Sequence, residues 1–207
     1  MPVDVLWNGG IGTYVKATSE NNRDVGDRTN DNLRVNGHEL RCKAVGEGGN
    51  LGFTQLGRVE YELNGGLIYT DFIDNSAGVN CSDHEVNIKI LLNQVVKDGD
   101  LTEKQRNELL VEMTDEVAAL VLRSNFYQPK AINQAAVNAV ANLELCSWYI
   151  DQLEEDNKID RALEFLPDNK TLLERKALNK GLTRPELAVL FSYSKILLEE
   201  ELLKSNV

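Results

Sequence analysis

The chain has 207 residues, a hydrophobic fraction of 42% and a formal net charge of −11. The apolar share supports a real core, and the length accommodates one large domain or two small ones. Residues 1–100 hold 9 basic and 15 acidic side chains and the remainder 13 and 18, which excludes a DNA or RNA surface, because phosphate binding needs clustered Lys and Arg.

Three short apolar segments open the chain, Val3–Trp7, Arg41–Val45 and Gly66–Phe72. Each reads as a buried strand running into a polar turn. The turns are Asn8-Gly9-Gly10-Ile11-Gly12, Gly46-Glu47-Gly48-Gly49-Asn50 and Asp74-Asn75-Ser76-Ala77-Gly78. Strand then turn, three times, predicts an α/β domain, and in such sheets ligands gather at the carboxyl ends of the strands. Asn21–Asn36 is polar and reads as irregular.

After Gly78 the periodicity becomes helical. Val86, Ile88, Ile90, Leu91, Val95 and Val96 mark one helix face. Ser82 and Glu85 have capping-box spacing, which predicts a helix starting near Asp83. Thr102 and Gln105 form the next such pair, followed by Leu109, Leu110, Met113, Val117, Leu120 and Val121 at helical spacing. Lys130–Glu155 continues as alanine-rich helix until Pro167. Thr183-Arg184-Pro185-Glu186 is a third box, with proline in the first turn, where its missing N–H costs nothing. Of 15 glycines only Gly181 lies beyond residue 100. The expectation is a Gly-rich α/β part, 1–97, followed by an all-α region, 98–207, whose helix charges form a solvated face.

No apolar run approaches the roughly 20 residues that span a bilayer. Residues 2–8 carry Asp4 and no basic start, so no secretory signal is read there. Cys42, Cys81 and Cys146 are odd in number and widely spaced, which gives no disulfide framework. A reducing cytoplasm is the simplest setting. His38 and His84 are the only histidines, and no Cys/His cluster has zinc-ligand spacing, so no metal site is expected.

Several residues invite chemistry, and each has a structural alternative. Gly9–Gly12 can cradle a phosphate on backbone N–H groups or simply turn the chain. It does not complete a Gly-x-Gly-x-x-Gly fingerprint, since position 15 is Val15. Asn50 suits a carboxamide or ribose hydroxyl or a tight turn. Ser82 either caps the helix behind it or, with that helix N-terminus, attracts a carboxylate. His84 has no sequence partner, and Cys81 has no basic neighbour to lower its pKa and reads as a small buried residue.

Longer motifs carry a resemblance. Residues 3–16, Val25–Asp31, Gly46–Arg58 and above all Thr70–Leu92 are similar to the large bacterial NAD-specific glutamate dehydrogenases. The smaller hexameric glutamate dehydrogenases share a fainter version in Glu47-Gly48-Gly49-Asn50 and in Asn75 through Ser82. Ser76-Ala77 departs from their Ala-Gly, and Cys81 and His84 belong to the large-enzyme pattern. The resemblance implies the second half of a Rossmann-like nucleotide-binding domain followed by the helical region. It implies NAD as cofactor, L-glutamate and 2-oxoglutarate as substrate and product, and a homo-oligomer. Asn8, Gly9, Gly10, Asn50 and Asn75 would face the cofactor. Asn75 and Ser82 would face the substrate, with Ser82 on its distal carboxylate. The family's catalytic lysines and aspartate, and its dinucleotide glycine fingerprint, have no counterpart here. The chain is thus expected to be a C-terminal piece of a longer enzyme, inactive alone, with its truncated sheet edge covered by the helical region, a partner copy or altered packing. A non-catalytic regulatory or assembly module is the rival reading.

Overall fold

The structure, a computed structural model, describes residues 2–205. It is mixed α/β, with two small parallel sheets in the first half and long helices after residue 70. Strands β1 (Val5–Asn8), β2 (Val15–Lys16), β3 (Val35–Asn36) and β4 (Ala44–Glu47) form the pairs β1–β4 and β2–β3. Helix α1 (Asn22–Val25) and a 3-10 turn at Arg28–Asn30 interrupt the polar stretch between β2 and β3. Asn21 caps α1 through a box with Asp24.

The strand expectations need correction. Arg41–Val45 is realised three residues later as β4, where Val45 and Glu47 alternate inward. β1 is not buried: Val5 and Trp7 are exposed, because β4 is the only described strand beside it. The helical half packs chiefly on other elements, so no described strand covers the outer edge of β1. Gly66–Phe72 is not a strand. Only Leu67 bridges to Ala44, and the chain then turns into the short helix α3 (Asp71–Asp74). Its two aspartates are drawn to buried partners described below, and those contacts coil the segment.

Helix α2 (Gln55–Leu63) packs on β2 and on the 3-10 turn at Gly37–Glu39, capped by Thr54, whose Oγ1 accepts from the Gly57 N–H at 3.0 Å. Val15, Val45, Phe53, Tyr61 and Ile68 form the core around it.

Beyond α3 come α4 (Ser76–Lys97), α5 (Glu103–Glu112), α6 (Thr114–Val137), α7 (Leu143–Glu155), α8 (Asn169–Ala177) and α9 (Arg184–Lys204). The boxes at Thr102 and Thr183 form as expected and start α5 and α9. The expected single helix over Lys130–Glu155 is instead two. Asn138 ends α6 and Asn142 starts α7, consistent with the preference of Asn for helix ends over interiors. Pro129 sits inside α6 without breaking it.

The box at Ser82 does not form. α4 starts at Ser76, seven residues earlier than that spacing requires, because the turn of α3 already sets the helical path. Cys81 is exposed on α4, not buried, because an open cavity separates it from Leu110 of α5, Met113 at its end and Val117 of α6. A second core gathers Ile132, Leu143, Ile150, Leu172 and Leu187, and Ile73 from α3 belongs to it. The two cores are therefore joined through α3. The ion pair of Arg184 with Glu62 at 2.7 Å and the bond from Gln55 Nε2 to the Pro185 carbonyl at 3.1 Å tie α9 to α2. No helix among the described residues is long and apolar enough to cross a membrane.

Candidate functional site

β1 and β4 run parallel, so the turns after them emerge at the same edge. The Asn8 carbonyl accepts from the N–H groups of Gly48 and Gly49 at 2.8 and 3.1 Å. The two turns touch so closely that a Cβ on Gly49 would lie 2.7 Å from the Gly10 carbonyl oxygen. Only glycine fits there. The Trp7 ring covers Gly46 and Gly48, where a Cβ would meet it at 2.6 Å. Asn8, Gly9 and Gly10 are thereby brought beside the Glu47–Asn50 turn. Asn8 Nδ2 is buried without a hydrogen-bond partner.

The third turn arrives from the α3–α4 junction. Asn75 Nδ2 donates to Asn50 Oδ1 at 2.8 Å. Asn50 and Asn75 share an open cavity of about 440 Å³ with Ser76, Asn80, Gln128 and Lys195. Ser82 does not line that cavity. It lies one turn further along α4, exposed, with its hydroxyl donating to the Gly78 carbonyl at 3.2 Å. That is the back-bonding expected of serine inside a helix, so no free helix N-terminus stands beside it.

A buried charge cluster holds the loop that presents Asn50. Glu47 is fully buried and takes Arg58 in two hydrogen bonds, Nε to Oε2 at 2.6 Å and Nη2 to Oε1 at 3.0 Å. Arg58 also meets Asp71 Oδ1 at 3.1 Å. The carboxylates then reach the loop backbone. Glu47 Oε1 accepts from the Phe53 N–H at 3.2 Å, and Asp71 Oδ2 from the Leu51 N–H at 2.7 Å. Asp74 Oδ2 accepts from the Glu47 N–H at 2.9 Å. Burial pushes the carboxyl groups of Glu47 and Asp74 upward. The Arg58 guanidinium offsets part of this for Glu47, and the Glu47 N–H does so for Asp74.

Leu51 has φ 59, in the left-handed region. That costs a non-glycine residue about 1–2 kcal/mol and persists only where surrounding contacts enforce it. Asp71 and the Thr13 hydroxyl, which donates to the Leu51 carbonyl at 2.7 Å, supply those contacts. The strained residue follows Asn50 directly, so the same clamp sets the direction of the Asn50 side chain.

Sequence reasoning picked out Asn8, Gly9, Gly10, Asn50 and Asn75, and the structure brings all five to one edge of the molecule. It missed Arg58, Asp71 and Asp74 as the clamp, and Lys195 and Asn80 as cavity residues. Two acidic residues inside the apolar run from Leu67 to Ile73 and its boundary were the available signal for the clamp. Nothing local marks Lys195.

The chain matches two family models, the catalytic domain of bacterial NAD-glutamate dehydrogenase over residues 1–135 and the C-terminal region of glutamate dehydrogenase over residues 179–207. It is 62% identical over 206 residues to the NAD-specific glutamate dehydrogenase of Pseudomonas aeruginosa, covering 100% of this chain and 13% of that protein. The protein of the same name from Halomonas elongata is 55% identical over 205 residues, 99% of this chain and 13% of that one. That from Mycobacterium tuberculosis is 50% identical over 206 residues, again 100% and 13%. The chain therefore spans about 13% of the length of the curated relatives it matches. It belongs to the family of the bacterial NAD-glutamate dehydrogenase catalytic domain.

Proposed function

We propose that this chain is part of an NAD-dependent glutamate dehydrogenase that converts L-glutamate, water and NAD to 2-oxoglutarate, ammonia and NADH. The observation that carries the reading is the Asn50–Asn75 pair. Their mutual hydrogen bond uses one amide N–H of Asn75 and the oxygen of Asn50. It leaves the Asn50 amide group as donor and the Asn75 oxygen as acceptor, unused among the described residues. One donor beside one acceptor complements a carboxamide, which offers both in return. Gly10, where nothing lies within 4 Å of the position a Cβ would take, leaves the backbone of the turn after β1 open to a dinucleotide.

NAD, when bound, supplies the hydride acceptor. This chain's own residues bind and orient. Asn8, Gly9 and Gly10 flank the cofactor, Asn50 and Asn75 hold the carboxamide, and Asn75 also reaches the substrate. Ser82 contacts the distal carboxylate through its exposed hydroxyl, one helical turn along α4 from Gly78 and Val79. No residue here is assigned a proton transfer. The contribution is orientation.

The parallel β1–β4 pair, with its ligand turns at the carboxyl ends, supports the second half of a Rossmann-like domain in residues 1–97, followed by the helical region 98–207. The three free cysteines support a cytoplasmic setting. Exposed Val86, Ile90 and Leu91 on α4 support assembly with further copies. The direct test follows NADH absorbance with L-glutamate in a polypeptide of the relatives' length carrying this chain. Glutamate-dependent NADH formation that Asn75→Ala reduces supports the reading. Its absence from the unaltered polypeptide removes it.

A further inference from the structure

The helical half contributes one charged side chain to the cavity that holds Asn50 and Asn75. α9 starts against α2, where Arg184 meets Glu62 and the Pro185 carbonyl meets Gln55. It then runs beside α6. Three turns on from Arg184 this path delivers Lys195 to the cavity. Lys195 Nζ donates to Gln128 Oε1 at 2.9 Å, and the Gln128 amide nitrogen in turn donates to the Ser124 hydroxyl at 3.4 Å. The Phe191 ring lies 4.9 Å from the same ammonium. The side chain is thus held on two sides by groups that carry no net charge.

Among the described residues no carboxylate lies within ion-pair distance of Lys195, although acidic residues outnumber basic ones 33 to 22 in the chain. Partial burial pushes its ammonium below the usual lysine range, with no acidic neighbour to offset this. Across the cavity stand the Asn50 and Asn75 side chains, with Ser76 and Asn80 beside them. A cation without a counter-ion thus lines a space whose other side chains are all uncharged. It is satisfied by a group bearing an anionic oxygen.

We propose that Lys195 binds an anionic oxygen of the ligand, a carboxylate or a phosphate, in the cavity that Asn50 and Asn75 share. This deepens the dehydrogenase reading and rests on it for the choice between the two sources, the substrate's carboxylate and the dinucleotide's phosphate. It gives the C-terminal helix a ligand-binding role.

The test is a titration of the 207-residue chain, following the side-chain amide resonances of Asn50, Asn75 and Asn80 by NMR. The probes are 2-oxoglutarate, NAD and inorganic phosphate, added separately. At least one is expected to shift the three resonances saturably. Lys195→Gln should weaken that binding about tenfold or more, the size of a lost charge-assisted hydrogen bond. Lys195→Arg should restore most of it. A response to 2-oxoglutarate that Lys195→Gln weakens identifies the carboxylate as the bound group, and a response to phosphate or NAD that it weakens identifies the phosphate, because carboxamide binding at Asn50 and Asn75 does not depend on Lys195. No response to any probe, or equal binding by Lys195→Gln, overturns the proposal.

A parallel assay of glutamate-dependent NADH formation in the relatives-length polypeptide separates the two ideas. Activity that Lys195→Gln leaves unchanged, together with an unchanged titration, sinks the Lys195 role and spares the dehydrogenase reading. A Lys195-dependent titration in a polypeptide that forms no NADH from glutamate keeps the anion site and sinks that reading.

Discussion

Asn75 Nδ2 donates to Asn50 Oδ1 at 2.8 Å, joining two turns that lie 25 residues apart in the chain. The bond orients both amides at once, so the two residues present a paired donor and acceptor. Asn50→Ala and Asn75→Ala are each expected to raise the KM for NAD about tenfold in the relatives-length polypeptide, the scale of one or two lost hydrogen bonds. The double variant should cost much less than the product of the singles, because each single already frees the partner to rotate. Strictly multiplicative effects in steady-state kinetics would refute the coupling. Unfolding free energies should move by less than about 1 kcal/mol, since the pair is solvent-accessible.

Arg58 is the single cation among Glu47, Asp71 and Asp74. Removing it as Arg58→Met leaves Glu47 buried and unpaired, and the expected loss is about 3–5 kcal/mol in urea unfolding. The pair of substitutions Glu47→Leu and Arg58→Met should recover part of that loss, because the fully buried Glu47 charge is gone while Asp71 still lacks its cation. It should still disturb the Asn50 loop, since the Phe53 N–H loses its acceptor. A double variant as unstable as Arg58→Met alone would show that the ion pair is not the cause.

Ser82 tests the substrate assignment separately from the fold. Ser82→Ala removes an exposed hydroxyl whose only described bond is to the Gly78 carbonyl one turn back. Stability should stay within about 0.5 kcal/mol, as for other surface positions. The KM for L-glutamate should rise about tenfold with little change in kcat, the signature of lost binding common to ground and transition states. An unchanged KM removes Ser82 from the substrate site.

Glu62 makes the α2–α9 joint pH-sensitive. Burial raises its carboxyl from 4.5 to about 7, against the opposing pull of Arg184. The folded state therefore holds the proton more tightly than the unfolded state. Stability from this group is fully present below about pH 4.5 and is lost as pH rises through about 7, a change of up to about 3 kcal/mol. Glu62→Gln cannot titrate, so its stability relative to the unaltered chain should improve across that window. Parallel urea midpoints for the two proteins between pH 4.5 and 7.5 would refute the shift.

The features legible in the sequence were those made by contacts within three or four residues. Thr102 with Gln105 and Thr183 with Glu186 cap their helices as their spacing predicts, because a cap needs only its own first turn. The glycine turns after β1 and β4 were legible for the same reason, and the long motifs around them carried the family resemblance. Ser82 with Glu85 has the same spacing and forms no cap. Whether a box forms depends on where the helix begins, and here α3 had already set that path.

Tertiary structure decided what depends on distant partners. The segment 66–72 has the apolar content of a strand, but Asp71 and Asp74 coil its end because Arg58 and the Glu47 N–H satisfy their carboxylates there. β1 has a buried strand's composition and stands exposed, because burial is a property of what lies alongside. Composition by itself determined an acidic, two-part chain with its glycines gathered in the first part. Only the packing of α9 on α2 and α6 places Lys195 from the glycine-poor part in the cavity of Asn50 and Asn75. A side chain's partners follow from three-dimensional proximity, which residue spacing encodes within a turn of helix and not across the chain.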